Sequence, residues 1–295
     1  MRLTPFRLHR PTSVEAASEL LDELGPDALL YCGGTELLLV AKLGLTDFTD
    51  LVDVKAIGEL GGIEDAGGEL RIGARTTHRQ IERSELVRER WSSLAAMERN
   101  VGNLRVRNVG TIGGNLCFAD PHSDPATYLI AAGGSVSMRR GGSGARVVAV
   151  EDFVRGPYET ALEESELLIA VHLPAPAPGS ALAHRKMSFH ERPTITVAAH
   201  IAVEEGTVRE ARIAVGSVGV TPKRARTAEQ ALVGLDALEP SGAQLDACGE
   251  GAAGEAEPVA DAGGSVAYKR QLVRVLTRRC ASEALGAAVA GHGAR

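Results

Sequence analysis

The chain has 295 residues, a formal net charge of −6 at neutral pH and an isoelectric point near 5.8. That length can bury a substantial core in two or three domains, and the acidic balance excludes the basic face that a nucleic-acid binder needs. Aromatic residues make up only 3% of the sequence, so the core must rest on Leu, Val, Ile and Ala.

The first segment, Met1-Arg2-Leu3-Thr4-Pro5-Phe6, has a basic residue and no apolar stretch, so no signal peptide is expected. No apolar run reaches the roughly 18 residues of a membrane span, and a cytoplasmic location is expected. Cys32, Cys117, Cys248 and Cys280 form no C-x-x-C pair and no zinc-like spacing. They read as buried thiols, and a cluster ligated wholly by this chain is not expected.

In chain order, Thr12 and Glu15 have the spacing of a capping box. Val14, Ala17, Leu20, Leu21 and Leu24 then line one helical face that Gly25-Pro26 ends. A strand over 28–31, a glycine turn and a helix to about Gly44 follow, then a strand over 50–55. The segment 69–74 alternates as a strand. Short and long helices are expected over 76–83 and 86–101, another helix over 125–132, and strands over 135–138 and 167–173. Pro174-Ala175-Pro176-Ala177-Pro178-Gly179 reads as a linker. Beyond it, strands over 194–203 and 208–218 flank a hairpin turn at Glu204-Glu205-Gly206-Thr207. A helix is expected over 224–233. Residues 236–264 give no clear element, and 265–290 form a long basic amphipathic helix carrying Leu272, Val275, Leu276 and Leu285. No internal repeat is present, which excludes a helical solenoid. The fold class is α+β, with units over 1–57, 58–174 and 179–290.

Two glycine-centred loops carry the chemistry: Cys32-Gly33-Gly34-Thr35-Glu36 and Thr111-Ile112-Gly113-Gly114-Asn115. Glycine lets a backbone approach a ligand closely, and two such loops could clamp a diphosphate through main-chain N–H groups. Seven Gly-Gly pairs occur among 34 glycines, so a bare pair is equally well a turn. The strand-turn-helix setting of Gly33 is the arrangement that attracts anions. Neither loop is a Rossmann fingerprint or a P-loop, and phosphate binding and simple turning both remain open on these residues. Asp120-x-His122-x-Asp124 has metal-ligand character, but Pro121 and Pro125 make it a loop, and no metal is assigned.

The chain resembles the medium, FAD-binding subunit of the molybdenum hydroxylases, the carbon monoxide dehydrogenase and xanthine dehydrogenase type, over nearly its whole length. The likeness rests on Phe6 with Arg10-Pro11, Gly33-Gly34-Thr35, Leu51-Val52-Asp53 and Leu70-Arg71-Ile72-Gly73-Ala74. Its most specific stretch is Arg107-Asn108-Val109-Gly110-Thr111-Ile112-Gly113-Gly114-Asn115-Leu116, followed by Ala119-Asp120-Pro121 and Ser123-Asp124. Gly219-Val220-Thr221-Pro222, Arg224-Ala225 and Tyr268-Lys269-Arg270 match the C-terminal domain.

The resemblance implies FAD held between two subdomains of the vanillyl-alcohol-oxidase (PCMH-like) fold, plus a C-terminal α+β domain. It places Cys32, Gly33, Gly34, Thr35 and Glu36 beside the diphosphate and Thr111, Ile112, Gly113, Gly114 and Asn115 on it. Val101 falls in the adenine or ribose environment, Asp124 on a cofactor hydrogen bond, Leu168 on a backbone contact, Lys186 near the flavin ring and Ile195 over one flavin face. It implies an oxidoreductase subunit with no catalytic side chain of its own. Electrons would come from [2Fe-2S] clusters on a small partner and leave to a diffusible acceptor, while a large partner carries the molybdopterin. A stand-alone flavoprotein of this fold and an assembly module without flavin are the competing readings. The segment Met187-Ser188-Phe189-His190-Glu191-Arg192-Pro193 departs from the family pattern, so the acceptor does not carry over. No cysteine-rich insertion follows Asn115, so an additional cluster is not expected.

Overall fold

The computed structural model describes residues 3–189 and 192–293. Three sheets order the chain. The first is parallel, in the order β1-β3-β2, from β1 (Arg7–His9), β2 (Ala28–Tyr31) and β3 (Asp50–Asp53). Helix α1 (Val14–Leu24) connects β1 to β2, and α2 (Leu37–Lys42) leads from β2 toward β3. The helix start differs by one residue from the Thr12 expectation: Ser13 is the N-cap, its side chain accepting from the Ala16 N–H. Val14 and Ala17 are fully buried against Val52, Val54, Ile57 and Leu60.

The second sheet is antiparallel, in the order β4-β5-β10-β6-β7. Its strands are β4 (Ile63–Ala66), β5 (Glu69–Gly73), β6 (Ser135–Arg140), β7 (Arg146–Ala149) and, later in the chain, β10 (Glu166–Leu173). The continuous apolar run of β10 is explained by burial on both faces. Leu167 and Ile169 pack in the core with α1, and Leu168, Val171 and Leu173 in the other. A register shift between Leu168 and Ala170 resets the alternation. Each fully buried side chain of this kind contributes roughly 1.5–3 kcal/mol.

Six helices lie between β5 and β6: α3 (His78–Arg83), α4 (Glu85–Arg90), α5 (Ser92–Glu98), α6 (Leu104–Val109), α7 (Ile112–Phe118) and α8 (Asp124–Ala132). The long helix expected over 86–101 is broken at Trp91, whose φ of −128° and ψ of 48° are not helical. Its indole is buried and donates to the Pro174 carbonyl at 3.1 Å, so tertiary packing overrides the periodicity. After β7 come α9 (Val150–Phe153) and the two-stranded pair β8 (Val154–Gly156) and β9 (Glu159–Thr160).

The third sheet, β11-β12-β13-β14, is antiparallel and is built from β11 (Ser180–Met187), β12 (Ile195–Glu204), β13 (Thr207–Gly216) and β14 (Lys223–Arg224). The expected hairpin joins β12 to β13, with φ of 49° at Glu205 and 75° at Gly206, the double positive φ of a tight two-residue turn. Helices α10 (Arg226–Leu232) and α12 (Val266–Gly293) pack on this sheet, and α11 (Gly242–Glu255) packs against both helices. The uninformative segment 236–264 thus contains a 14-residue helix, whose small residues Gly249, Ala252 and Ala253 are buried. The buried face of α12 is Val273, Leu276, Cys280, Ala284 and Ala288, so Val275 lies to one side of it. Among the described residues, no helix is long and apolar enough to cross a membrane.

Candidate functional site

The two glycine pairs are adjacent in space, and each glycine has its own physical reason. Gly34 has φ +70°, and a Cβ there would stand 2.4 Å from the Tyr31 ring. At Gly33 a Cβ would stand 2.2 Å from the Val109 carbonyl oxygen, so the first loop leans directly on the end of α6. Gly113 abuts Ala74, with its Cβ position 2.6 Å from both the Ala74 Cβ and carbonyl oxygen. Gly114 has open space except for the Thr111 hydroxyl at 2.8 Å.

The second pair is not in a loop. Thr111 is the N-cap of α7, its Oγ1 accepting from the Gly114 N–H at 3.1 Å, and Ile112 to Asn115 form the first turn of that helix. Residues 74–78 run alongside 110–113. Gly113 donates to the Ala74 carbonyl at 2.9 Å, Ile112 to that of Thr76 at 3.0 Å, and His78 to that of Gly110 at 3.0 Å. The Asn115 N–H donates to the Thr111 carbonyl. The expectation of two main-chain clamps is corrected accordingly: Ile112, Gly113, Gly114 and Asn115 already have acceptors within the protein. Among the described residues, the N–H groups of Gly33, Gly34, Thr35 and Glu36 have none. The main-chain donors left without acceptors are on the first loop, and the Cβ position of Gly114 is open except toward Thr111.

Between these loops runs a cleft of about 460 Å³, within the usual range for small-molecule sites. It is walled by the first loop and α2, the strip 74–78, the turn at Val101 and Gly102, α7 and its following loop, Leu167 and Leu168, and Arg192 and Pro193. Of the sequence-derived candidates, Cys32, Gly33, Gly34, Thr35, Glu36, Val101, Thr111, Gly113, Gly114, Asn115, Asp124 and Leu168 line it. Ile112 does not, because its side chain is buried beneath α7. Ile195 is likewise outside the cleft, fully buried in the core under the third sheet. Lys186 stands behind the wall, donating to Asp124 Oδ2 at 2.8 Å and to the Asn100 carbonyl.

Asp124, at the start of α8, is 4% exposed. While Oδ2 holds Lys186, Oδ1 is buried without a hydrogen-bond partner. His184, 3.8 Å from that oxygen, is pushed down to about 4 by burial, with Lys186 adding to the shift and Asp124 opposing it. It is therefore neutral, and its Nε2 is engaged with Thr196 Oγ1 at 2.7 Å. Ser123 donates to Asn115 Oδ1 at 2.7 Å, leaving the Asn115 amide nitrogen as a donor.

A second charged group crosses the rim. Arg192 pairs with Glu36 at 2.8 Å and also with Asp120. Asp120 accepts from the His122 N–H at 2.8 Å, and His122 Nε2 lies 3.6 Å from Asp261, which pairs with the buried Lys269 at 2.7 Å. Glu36 is thus neutralised at the rim of the cleft by Arg192. Asp120 and His122 face each other while Asp124 turns to Lys186, and among the described residues no three side chains gather as a metal site. Arg75 and His78 also line the cleft without having been singled out in the sequence. Their available signal was position, directly after the C-terminal end of β5, where sheet-based sites collect ligands. His190 and Glu191 of the departing segment lie outside the described residues.

The cleft has no activated nucleophile among its thiols. Burial pushes Cys117 up to about 12, and Cys32 is raised by the same cause. What it does offer is free main-chain donors, glycine clearance, an orphaned carboxylate oxygen and apolar walls. That donor and acceptor set fits FAD, which carries a diphosphate, ribityl and ring donors, and two flat apolar rings.

Comparison with known proteins agrees with this geometry. Residues 4–176 match the family model for the FAD binding domain in molybdopterin dehydrogenase, and residues 183–284 match that for the CO dehydrogenase flavoprotein C-terminal domain. The carbon monoxide dehydrogenase medium chain of Afipia carboxidovorans is 32% identical over 281 residues, covering 95% of this chain and 96% of that one. A putative xanthine dehydrogenase FAD-binding subunit of Escherichia coli is 30% identical over 289 residues, covering 95% and 96%. A solved carbon monoxide dehydrogenase from Hydrogenophaga pseudoflava superposes with a TM-score of 0.92 at 33% identity, covering 98% of this chain and 99% of that one. Quinoline 2-oxidoreductase from Pseudomonas putida superposes with a TM-score of 0.91 at 28% identity and 98% and 99% coverage. This chain therefore belongs to the family of FAD-binding subunits of the molybdopterin dehydrogenases, oxidoreductases of the carbon monoxide and xanthine dehydrogenase type.

Proposed function

We propose that the chain is the electron-transfer subunit of a heteromeric molybdenum hydroxylase. It takes electrons from [2Fe-2S] clusters on a small partner and delivers them to a diffusible acceptor, while hydroxylation occurs on a large molybdopterin-bearing partner. The observation that carries this reading is the cleft itself. Its groups bind and orient a dinucleotide, and its thiols are held protonated, so the chain presents binding chemistry rather than substrate-transforming chemistry. FAD, when bound, supplies the redox chemistry.

In this reading Gly33 to Glu36 donate to phosphate oxygens, Gly114 clears the path of the chain, and Asp124 Oδ1 accepts from the cofactor. Val101 and Leu168 exclude water, and Cys32 and Thr111 complete the wall. Lys186 fixes Asp124, and its charge at that end of the cleft favours a more negative cofactor on reduction. The relatives point the same way: a nicotine 6-hydroxylase medium subunit and a carbon monoxide dehydrogenase medium chain both match this chain over nearly its whole length while their names specify different substrates. Substrate choice then belongs to the large partner. A division of the chain at 1–57, 58–174 and 179–290 fits the three sheets, and a cytoplasmic site for the assembly fits its four free cysteines.

Purification with the natural partners, followed by visible spectroscopy and metal analysis, tests the reading. A yellow-brown complex with FAD, iron and molybdenum is expected. A colourless chain that takes up no FAD would overturn it, and a flavoprotein that turns over substrate without partners would favour the stand-alone reading.

A further inference from the structure

His78 and Glu98 form a buried pair that the cofactor assignments above do not use. His78 Nδ1 lies 2.7 Å from Glu98 Oε2, and the two side chains are 2% and 0% exposed. Glu98 Oε1 has no hydrogen-bond partner. On the other side of the ring, Nε2 makes no hydrogen bond among the described residues, and His78 lines the cleft. Its position is the junction of the two glycine segments. The missing Cβ of Gly110 would lie 3.3 Å from His78 Cδ2, the atom bonded to Nε2, and 3.5 Å from Thr35 Oγ1.

The proton count decides what Nε2 offers. If the pair shares one proton, it is either an imidazolium facing a carboxylate or a neutral imidazole accepting from a carboxylic acid. Both arrangements leave a hydrogen on Nε2. In the remaining arrangement the Glu98 carboxylate accepts from a neutral Nδ1–H and Nε2 is left as an acceptor; an anionic ligand in the cleft disfavours it, because it favours the ring that carries both protons. Facing an anion, Nε2 is then a donor at the cleft wall, beside a loop whose N–H groups are also donors without acceptors among the described residues. Such a concentration of donors calls for a ligand rich in acceptor oxygens.

We infer that His78, backed by Glu98, binds the diphosphate of the cofactor, donating from Nε2 to a phosphate oxygen. Glu98 is a positioning residue that fixes the orientation of the ring and balances its charge when Nε2 donates. The inference rests on the reading of the cleft as the FAD site and adds to it a ligand outside both glycine segments.

The full-length chain, stripped of flavin, is titrated with FAD, with ADP (a diphosphate without flavin) and with riboflavin (flavin without phosphate). Because His78→Phe strands a buried carboxylate, the double variant His78→Leu/Glu98→Leu is measured beside it, with circular dichroism to confirm the fold. Loss of one charge-assisted hydrogen bond predicts roughly 10- to 100-fold weaker binding of both FAD and ADP, with riboflavin unchanged. Folded variants that bind ADP as tightly as the parent overturn the inference, as does an equal loss for riboflavin, which would mark a general change of cleft shape. A parent chain that binds no FAD overturns the cleft assignment and this inference with it.

Discussion

Lys186 and Asp124 meet across the seam between the third sheet and the helical layer, Nζ 2.8 Å from Oδ2, while the second oxygen of Asp124 stays buried and unpaired. Two elements distant in the sequence, β11 and α8, thus share one ion pair at the wall of the cleft. With the side chains 17% and 4% exposed, the pair is shielded from water.

Lys186→Met leaves the carboxylate without its counter-charge and is expected to cost about 3 kcal/mol, the scale for breaking a buried pair. Asp124→Asn is expected to weaken FAD retention about tenfold by changing what Oδ1 can accept. Urea unfolding with and without FAD separates the two effects. A Lys186→Met variant as stable as the parent would show that the pair is screened.

The neighbouring glycines of α7 should fail differently. Gly113→Ala drives a methyl into Ala74, an overpacking expected to cost about 1–3 kcal/mol whether or not flavin is present. Gly114→Val meets open space apart from the Thr111 cap, so it should reduce flavin content at least tenfold with a smaller loss of stability. Flavin-to-protein absorbance ratios and melting curves read both; equal flavin content in the Gly114→Val protein would refute the clearance role.

Acid should destabilise the fold in two windows. Burial pushes His184 and His200 down to about 4, with Lys186 and Arg212 respectively adding to the shift. Unfolded histidine binds its proton near 6.5. Below that pH the unfolded chain holds protons that the folded one refuses, so stability falls as pH drops from about 6.5 to 4, by at most about 3 kcal/mol per histidine. The second window lies lower. Arg7 and His9, with Thr49, hold the Asp50 carboxyl well below the ordinary carboxylate range. Its contribution is complete above the ordinary value near 4 and disappears as pH falls through the depressed folded value. Urea midpoints between pH 7 and 4 check the first window, where His200→Gln should flatten the slope.

The thiols should be inert. Burial raises Cys32 and Cys280 and pushes Cys117 and Cys248 up to about 12. Alkylation by iodoacetamide at neutral pH should be negligible in the folded chain and complete in denaturant. Fast labelling of Cys117 in native protein would contradict the closed packing of the cleft wall.

Local patterns made much of the fold legible. The hairpin at Glu205 and Gly206 is encoded in its turn residues, and β10 in a short apolar run that Pro174 closes. The 14-residue α11 was not legible, because Ala and Gly give a helical face little hydrophobic contrast and small residues are buried there for close packing. The break at Trp91 was equally hidden, since it depends on a carbonyl 83 residues away.

The same division applies to the site. By itself the sequence determined the two glycine segments, because their residues are adjacent in the chain and their spacing is the signal; the cofactor, and Asp124 as a candidate to meet it, came through resemblance. Only the tertiary structure decided that the N–H groups of α7 are already taken, that Ile195 is core, and that Arg75, His78 and Arg192 join the cleft. Hydrogen-bond satisfaction and burial are properties of segments brought together from far apart, and no local pattern encodes which donor finds its acceptor first.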